Sequence, residues 1–134
     1  MKSLFSVTIL ILSIITFLSC KKSQVNPNNS IIGKWRWVKS IGGIAGATLT
    51  PQNTSNNFRE EFYSDSSFRY YMNDSLIFQK SFSIIKNYKY TATQTVDVLK
   101  IEPVSRSFLL RNDTLYTEDL FISDGFSDIY VRIR

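Results

Sequence analysis

From Ile31 onward the chain is a succession of short segments rich in aromatic and β-branched residues, each closed by a compact polar turn. That rhythm leaves little choice of fold. "KWRWVKS", "NFREEFY", "SFRYYMN", "LIFQKSFSII", "SRSFLLRN", "TLYTEDLFI" and "SDIYVRIR" each read as one strand, and "YKYTATQTVDVLKIE" as two. Between them stand "SDSS" at Ser64, "NDS" at Asn73, "NDT" at Asn112 and "SDG" at Ser123. Asn, Asp and Gly tolerate the left-handed backbone that tight antiparallel hairpins need. The longest irregular stretch, Ile41 to Asn57, gathers Gly42, Gly43, Gly46 and Pro51 between the first two segments. No helical periodicity is sustained after Leu18.

Short strands joined by tight turns in a chain of this size imply an all-β domain, either a small up-and-down antiparallel barrel of about eight strands or a sandwich. A closed barrel exposes no strand edge, which favours it for strands this aromatic.

Residues 1–19 are of another kind. Met1-Lys2 gives a positive start, Leu4 to Leu18 is almost wholly apolar or hydroxyl-bearing, and small Ser19 precedes Cys20. This is the layout of a secretory signal peptide. The unbroken run from Val7 to Leu18 is well short of the roughly 20 residues that span a bilayer, so a permanent anchor helix is the weaker reading. Residues 20–30, with "KKSQVNPNNS", hold one weak apolar side chain among turn formers and read as a flexible tether. Removing residues 1–19 from 134 leaves 115, enough for one domain over 31–134 with a single core. Loss of Lys2 takes the net charge from +5 to +4, spread along the chain. No nucleic-acid partner is expected of an exported chain with so diffuse a charge.

Cys20 is the only cysteine, so no intrachain disulfide is open to it. "TFLSC" resembles the lipobox of bacterial lipoproteins, with Phe17 where leucine is usual and Leu18 one place nearer the cysteine. The resemblance implies that Cys20 is diacylated and that acyl chains of palmitate type anchor the chain in a lipid bilayer. Two or three chains hold firmly where one holds marginally. The other readings of Cys20 are a leftover thiol in an uncleaved anchor and a cysteine near an ordinary cleavage site. Lys21 stands where aspartate would retain a lipoprotein at the inner membrane, which is similar to lipoproteins sent to the outer membrane of Gram-negative cells.

"GKW" at Gly33 to Trp35, opening the first strand, resembles the glycine-x-tryptophan motif of lipocalins. "YVRI" at Tyr130 to Ile133 is similar to the arginine-bearing close of lipocalin-like lipoprotein domains. The resemblance covers residues 31–134 and implies an eight-stranded barrel with Trp35 plugging one end and Arg132 laid across its indole. The threonine-aspartate-tyrosine turn of lipocalins has no clear counterpart, and the chain is shorter than theirs, which implies little cavity. A plain period-two reading of the last strand points Ile129, Val131 and Ile133 inward and Arg132 outward, from where it reaches the indole only around the barrel's end.

No catalytic arrangement is legible, and no enzyme is expected. The chain has no histidine, which excludes Ser-His-Asp and Cys-His chemistry and any usual zinc site. Glu60-Glu61 and Glu118-Asp119 are adjacent on strands, so each pair splits between opposite faces and reads as solvated charge. Asp124, Ser127 and Asp128 lack the spacing of a calcium loop and read as a hairpin turn. "IGGIAG" lacks the lysine of a phosphate loop. Neither a metal nor a cofactor is expected.

One constellation invites a function. Glu60 shares a face with Phe58 and Phe62, and Lys80 shares one with Phe78 and Phe82; with Tyr70 they place an acid and an ammonium inside an aromatic barrel. Each then needs a partner. A mutual ion pair is one outcome, and a polar handle for a ligand's head group is the other. The expected ligand-binding set is therefore Phe58, Glu60, Tyr70, Phe78, Lys80 and Phe82, with Gly33, Trp35 and Arg132 structural. The leading expectation is a membrane-anchored lipocalin-like protein binding a small, partly apolar ligand. The alternative is a non-catalytic accessory domain of the envelope with a filled core, contacting another protein.

Overall fold

The computed structural model describes residues 30–134; the expected signal peptide, Cys20 and the tether up to residue 29 lie outside the described residues. The described residues form ten strands and one helical turn: β1 (Gly33–Gly42), β2 (Ala47–Leu49), α1 (Pro51–Thr54), β3 (Phe58–Phe62), β4 (Ser67–Met72), β5 (Ser75–Ser81), β6 (Ser83–Lys89), β7 (Thr95–Ile101), β8 (Val104–Arg111), β9 (Thr114–Asp119) and β10 (Phe126–Ile133). The turns expected at Asn73, Asn112 and Asp124 place Asn73, Asp74, Asn112 and Asp124 at positive φ. The stretch expected to be irregular is more ordered than its glycines suggest. β2 folds back onto the end of β1, and Thr50 caps α1 through a reciprocal exchange with Asn53.

All strands belong to one antiparallel sheet in the order β5-β4-β3-β1-β10-β9-β8-β7-β6, with β2 added beside β1. Strands consecutive in the chain pair from β3 to β5 and from β6 to β10, and the first long strand pairs with both β3 and the last. The two ends of this path, β5 and β6, are separated in the chain by Phe82 alone. Ser75 to Lys89 is thus one bent run whose first half pairs with β4 and whose second half pairs with β7. The sheet must therefore curl round on itself. The Phe82 amide extends the β4–β5 pairing by donating to the Ser66 carbonyl at 2.9 Å, and Lys80 Nζ crosses the seam to the Glu102 carbonyl at 2.6 Å. The fold is an all-β, up-and-down antiparallel barrel-like sheet.

The concave face holds the core: Trp35, Trp37, Phe62, Phe68, Leu99, Ile101, Phe108, Leu115 and Tyr130, with Ile31 at one end. Alternation sets which residues enter it, except where a bulge intervenes. Register slips between Trp37 and Lys39, so the buried positions of β1 run Trp35, Trp37, Ser40. β10 reverses the simple reading. Tyr130 is buried and Asp128 and Arg132 share its face, while Ile133 is exposed. The outward placement of Arg132 is therefore overturned. Direct pairing of Trp35 with Arg132 across β1 and β10 forces both onto one face.

The guanidinium of Arg132 lies 4.1 Å from the Trp35 ring centroid. It donates to the carbonyls of Ile32 at 2.9 Å and Ser30 at 2.6 Å, and Trp35 Nε1 donates to the Ile31 carbonyl at 2.7 Å. The entering chain is thereby tied across the barrel's end. Gly33 makes room for this. Its φ is +137°, and a Cβ there would lie 2.7 Å from Arg132 Nη1.

Candidate functional site

The pairing of β3, β4 and β5 lines up aromatic rings from the expected set on the concave face. Phe58 stacks on Tyr70 with centroids 5.7 Å apart and planes 20° apart, and Tyr70 stacks on Phe78 at 5.2 Å and 21°. Trp37 closes the row against Phe58 at 5.0 Å. Phe82 lies outside this row. It sits at the seam and meets Phe62 edge-on at 5.2 Å.

Beside the stack opens a cleft of about 250 Å³, whose walls include Glu60, Tyr70, Phe78, Lys80, Arg106 and Tyr130. Four of the six expected residues thus share it; Phe58 backs it through Tyr70, and Phe82 does not line it. A larger cleft of about 650 Å³, with Asp97, Phe108 and Thr117 among its lining, includes none of the six.

Glu60 and Lys80 do not pair with one another. Lys80 is exposed at the mouth, spent on the Glu102 carbonyl, with its ammonium 5.4 Å from the Phe78 ring. Glu60 is 1% exposed and receives Arg106 Nη2 at 3.0 Å and the Tyr130 hydroxyl at 3.2 Å, both on Oε1. Its other oxygen, Oε2, is buried with no hydrogen-bond partner among the described residues. The expectation that Glu60 and Glu61 are solvated is also overturned. They do face opposite ways, but Glu61 is 3% exposed beneath Lys34, Arg59 and Tyr63.

Arg106, Tyr130 and Asp128 were not among the expected residues. Arg106 shares the inward face of β8 with Phe108 and Leu110, a parity that was open to sequence reading. Its Nη1 also lies 3.9 Å from Asp128 Oδ2. Asp128 in turn accepts from Ser40 Oγ, which accepts from Trp37 Nε1 at 2.9 Å. The network therefore runs from the aromatic row through Ser40 and Asp128 to the Arg106–Glu60 pair.

Burial shapes how these groups ionise. Desolvation pushes Tyr70 up to about 12, helped by the Glu60 charge, and drives Tyr130 well above its ordinary value for the same two reasons. Both phenols stay neutral donors at physiological pH. Burial works to lower the Arg106 pKa, but Glu60 beside it holds the guanidinium above its usual range. Asp128 is raised by burial, against the opposing pull of Ser40 and Arg106.

The last shift has a measurable consequence. The folded chain holds the Asp128 proton more tightly than the unfolded chain, so this group costs stability as pH rises from the ordinary carboxylate value through the raised one. Asp128→Asn removes that cost while keeping an acceptor for Ser40. Thermal melts between about pH 3 and pH 7 should show the variant gaining on the wild type as pH rises. An unchanged difference at all pH values would mean that the Arg106 attraction offsets burial entirely.

A scan against protein-family models and a search of curated proteins each found no match to this chain.

Proposed function

We propose that this chain is a lipid-anchored, non-catalytic protein of the cell envelope that binds a small, partly apolar molecule in its barrel, as lipocalins do. The observation that carries the reading is Glu60: a buried carboxylate with one free oxygen, on the wall of an aromatic cleft. Concave apolar sites with a few convergent polar groups are the usual form of small-molecule sites. Native mass spectrometry of the protein extracted from membranes tests it, with a co-purifying small molecule as the expected result. A protein that carries none, and that binds no apolar probe while folded, would defeat it.

The anchor is tested separately. Cys20→Ala should abolish labelling by a clickable fatty acid and leave the precursor uncleaved. Equal labelling of variant and wild type would remove both the lipid anchor and the outer-membrane address.

A second reading has its own support. Leu76, Ile77, Ile84 and Ile85 are exposed apolar side chains along the seam run, of a kind suited to contact with another envelope protein. Crosslinking from this run would recover such a partner, whereas loss of the cleft's ligand would leave that contact intact.

A further inference from the structure

The cleft beside Glu60 has a sign as well as a shape. Among its ionisable lining residues are four carboxylates, Glu60, Glu102, Asp119 and Asp128, against two cations, Lys80 and Arg106, and Glu102 is itself paired with Lys100 at 2.7 Å. Only one of the two cations is neutralised by a carboxylate. Arg106 is committed to Glu60 at 3.0 Å and faces Asp128 at 3.9 Å, and Lys80 Nζ donates to a carbonyl. An anionic head group would therefore find an uncompensated cation only at the exposed mouth, at Lys80, and would meet carboxylates beside Glu60. The buried atom that lacks a partner is an acceptor, Glu60 Oε2, and an acceptor is satisfied only by a donor. The Tyr70 and Phe78 rings supply an apolar wall, and the same rings favour a cation near their faces.

Resting on the small-molecule reading above, we infer that the cleft is a site for a small organic amine in its protonated form, with the ammonium seated on Glu60 Oε2 and an apolar body against Phe78 and Tyr70. A volume of about 250 Å³ limits the body to roughly one ring or a short chain, below the range of drug-sized ligands. A carboxylate head group is disfavoured at the Glu60 end of the cleft, since like charges brought together in a desolvated site are a strong element of discrimination.

The test is calorimetry on the full chain in lipid nanodiscs, with empty nanodiscs as control, using three probes of matched shape: 2-phenylethylamine, 2-phenylethanol and phenylacetate. The amine should bind at least tenfold more tightly than phenylacetate, with the alcohol between them. Glu60→Gln, which keeps an acceptor for Arg106 and Tyr130, should reduce the amine's advantage over the alcohol at least fivefold. If that variant does not fold, Asp119→Asn at the cleft wall should still narrow the gap between amine and phenylacetate. Binding of phenylacetate or the alcohol as tightly as the amine would overturn the amine assignment and leave the small-molecule reading standing. Binding of none of the three would sink the amine site, while a ligand found by native mass spectrometry would still uphold binding of another class.

Discussion

Trp35→Ala should destabilise the folded chain by about 3–5 kcal/mol, the cost of emptying a large aromatic site from a core. Trp35 is fully buried, belongs to the core and has its indole N–H satisfied by the Ile31 carbonyl. The end of the barrel cannot collapse freely into the space, because Arg132 above it is held by two carbonyls of the entering segment. Arg132→Ala should cost less, since a guanidinium over an indole is worth about 0.5–2 kcal/mol. The two substitutions should couple, because each removes the other's partner. Urea denaturation of both single variants and the double variant measures this. Additive losses would mean that the stacked arrangement contributes nothing beyond the tryptophan's own burial.

How much of this was legible follows from particular residues. Strand periodicity and turn chemistry are local signals, so the all-β meander could be read directly, and its closing pair was open to expectation through Gly33, Trp35 and Arg132. Facing directions were less accessible wherever the pattern is balanced. In β10, Ile129, Val131 and Ile133 outvote Tyr130 by apolar count, yet β10 turns Tyr130, Arg132 and Asp128 inward because pairing with β1 puts Arg132 opposite Trp35. The bulge after Trp37, which delivers Ser40 to the same network, leaves no mark in composition. Lys80 was placed by parity alone, and parity does not say that a residue stands at a mouth. Arg106 was readable from Phe108 and Leu110, but its partner Glu60 lies 46 residues away in sequence, and no local pattern announces such a meeting.

That meeting should be the other large energetic feature of the molecule. Arg106→Met removes a buried guanidinium while keeping most of the side chain's volume, and it leaves the Glu60 carboxylate buried with only the Tyr130 hydroxyl to receive its charge. Breaking one side of a buried ion pair costs about 3–5 kcal/mol, because the remaining charge is neither solvated nor compensated. The pair itself need not be worth that much, since desolvating both charges offsets most of their attraction. Replacing both partners therefore distinguishes the pair's net value from the penalty of orphaning one of them. Glu60→Gln in the Arg106→Met background should restore most of the lost stability, as a neutral amide still accepts from Tyr130 and leaves no stranded charge. Residual loss would then fall on Asp128, which also faces Arg106 and keeps only Ser40 as a donor; adding Asp128→Asn should recover it. If Arg106→Met melts within about 1 kcal/mol of the wild type, or if Glu60→Gln deepens its loss, the carboxylate has a solvent path that the folded arrangement does not imply. The cleft's acidic character would then be screened as well.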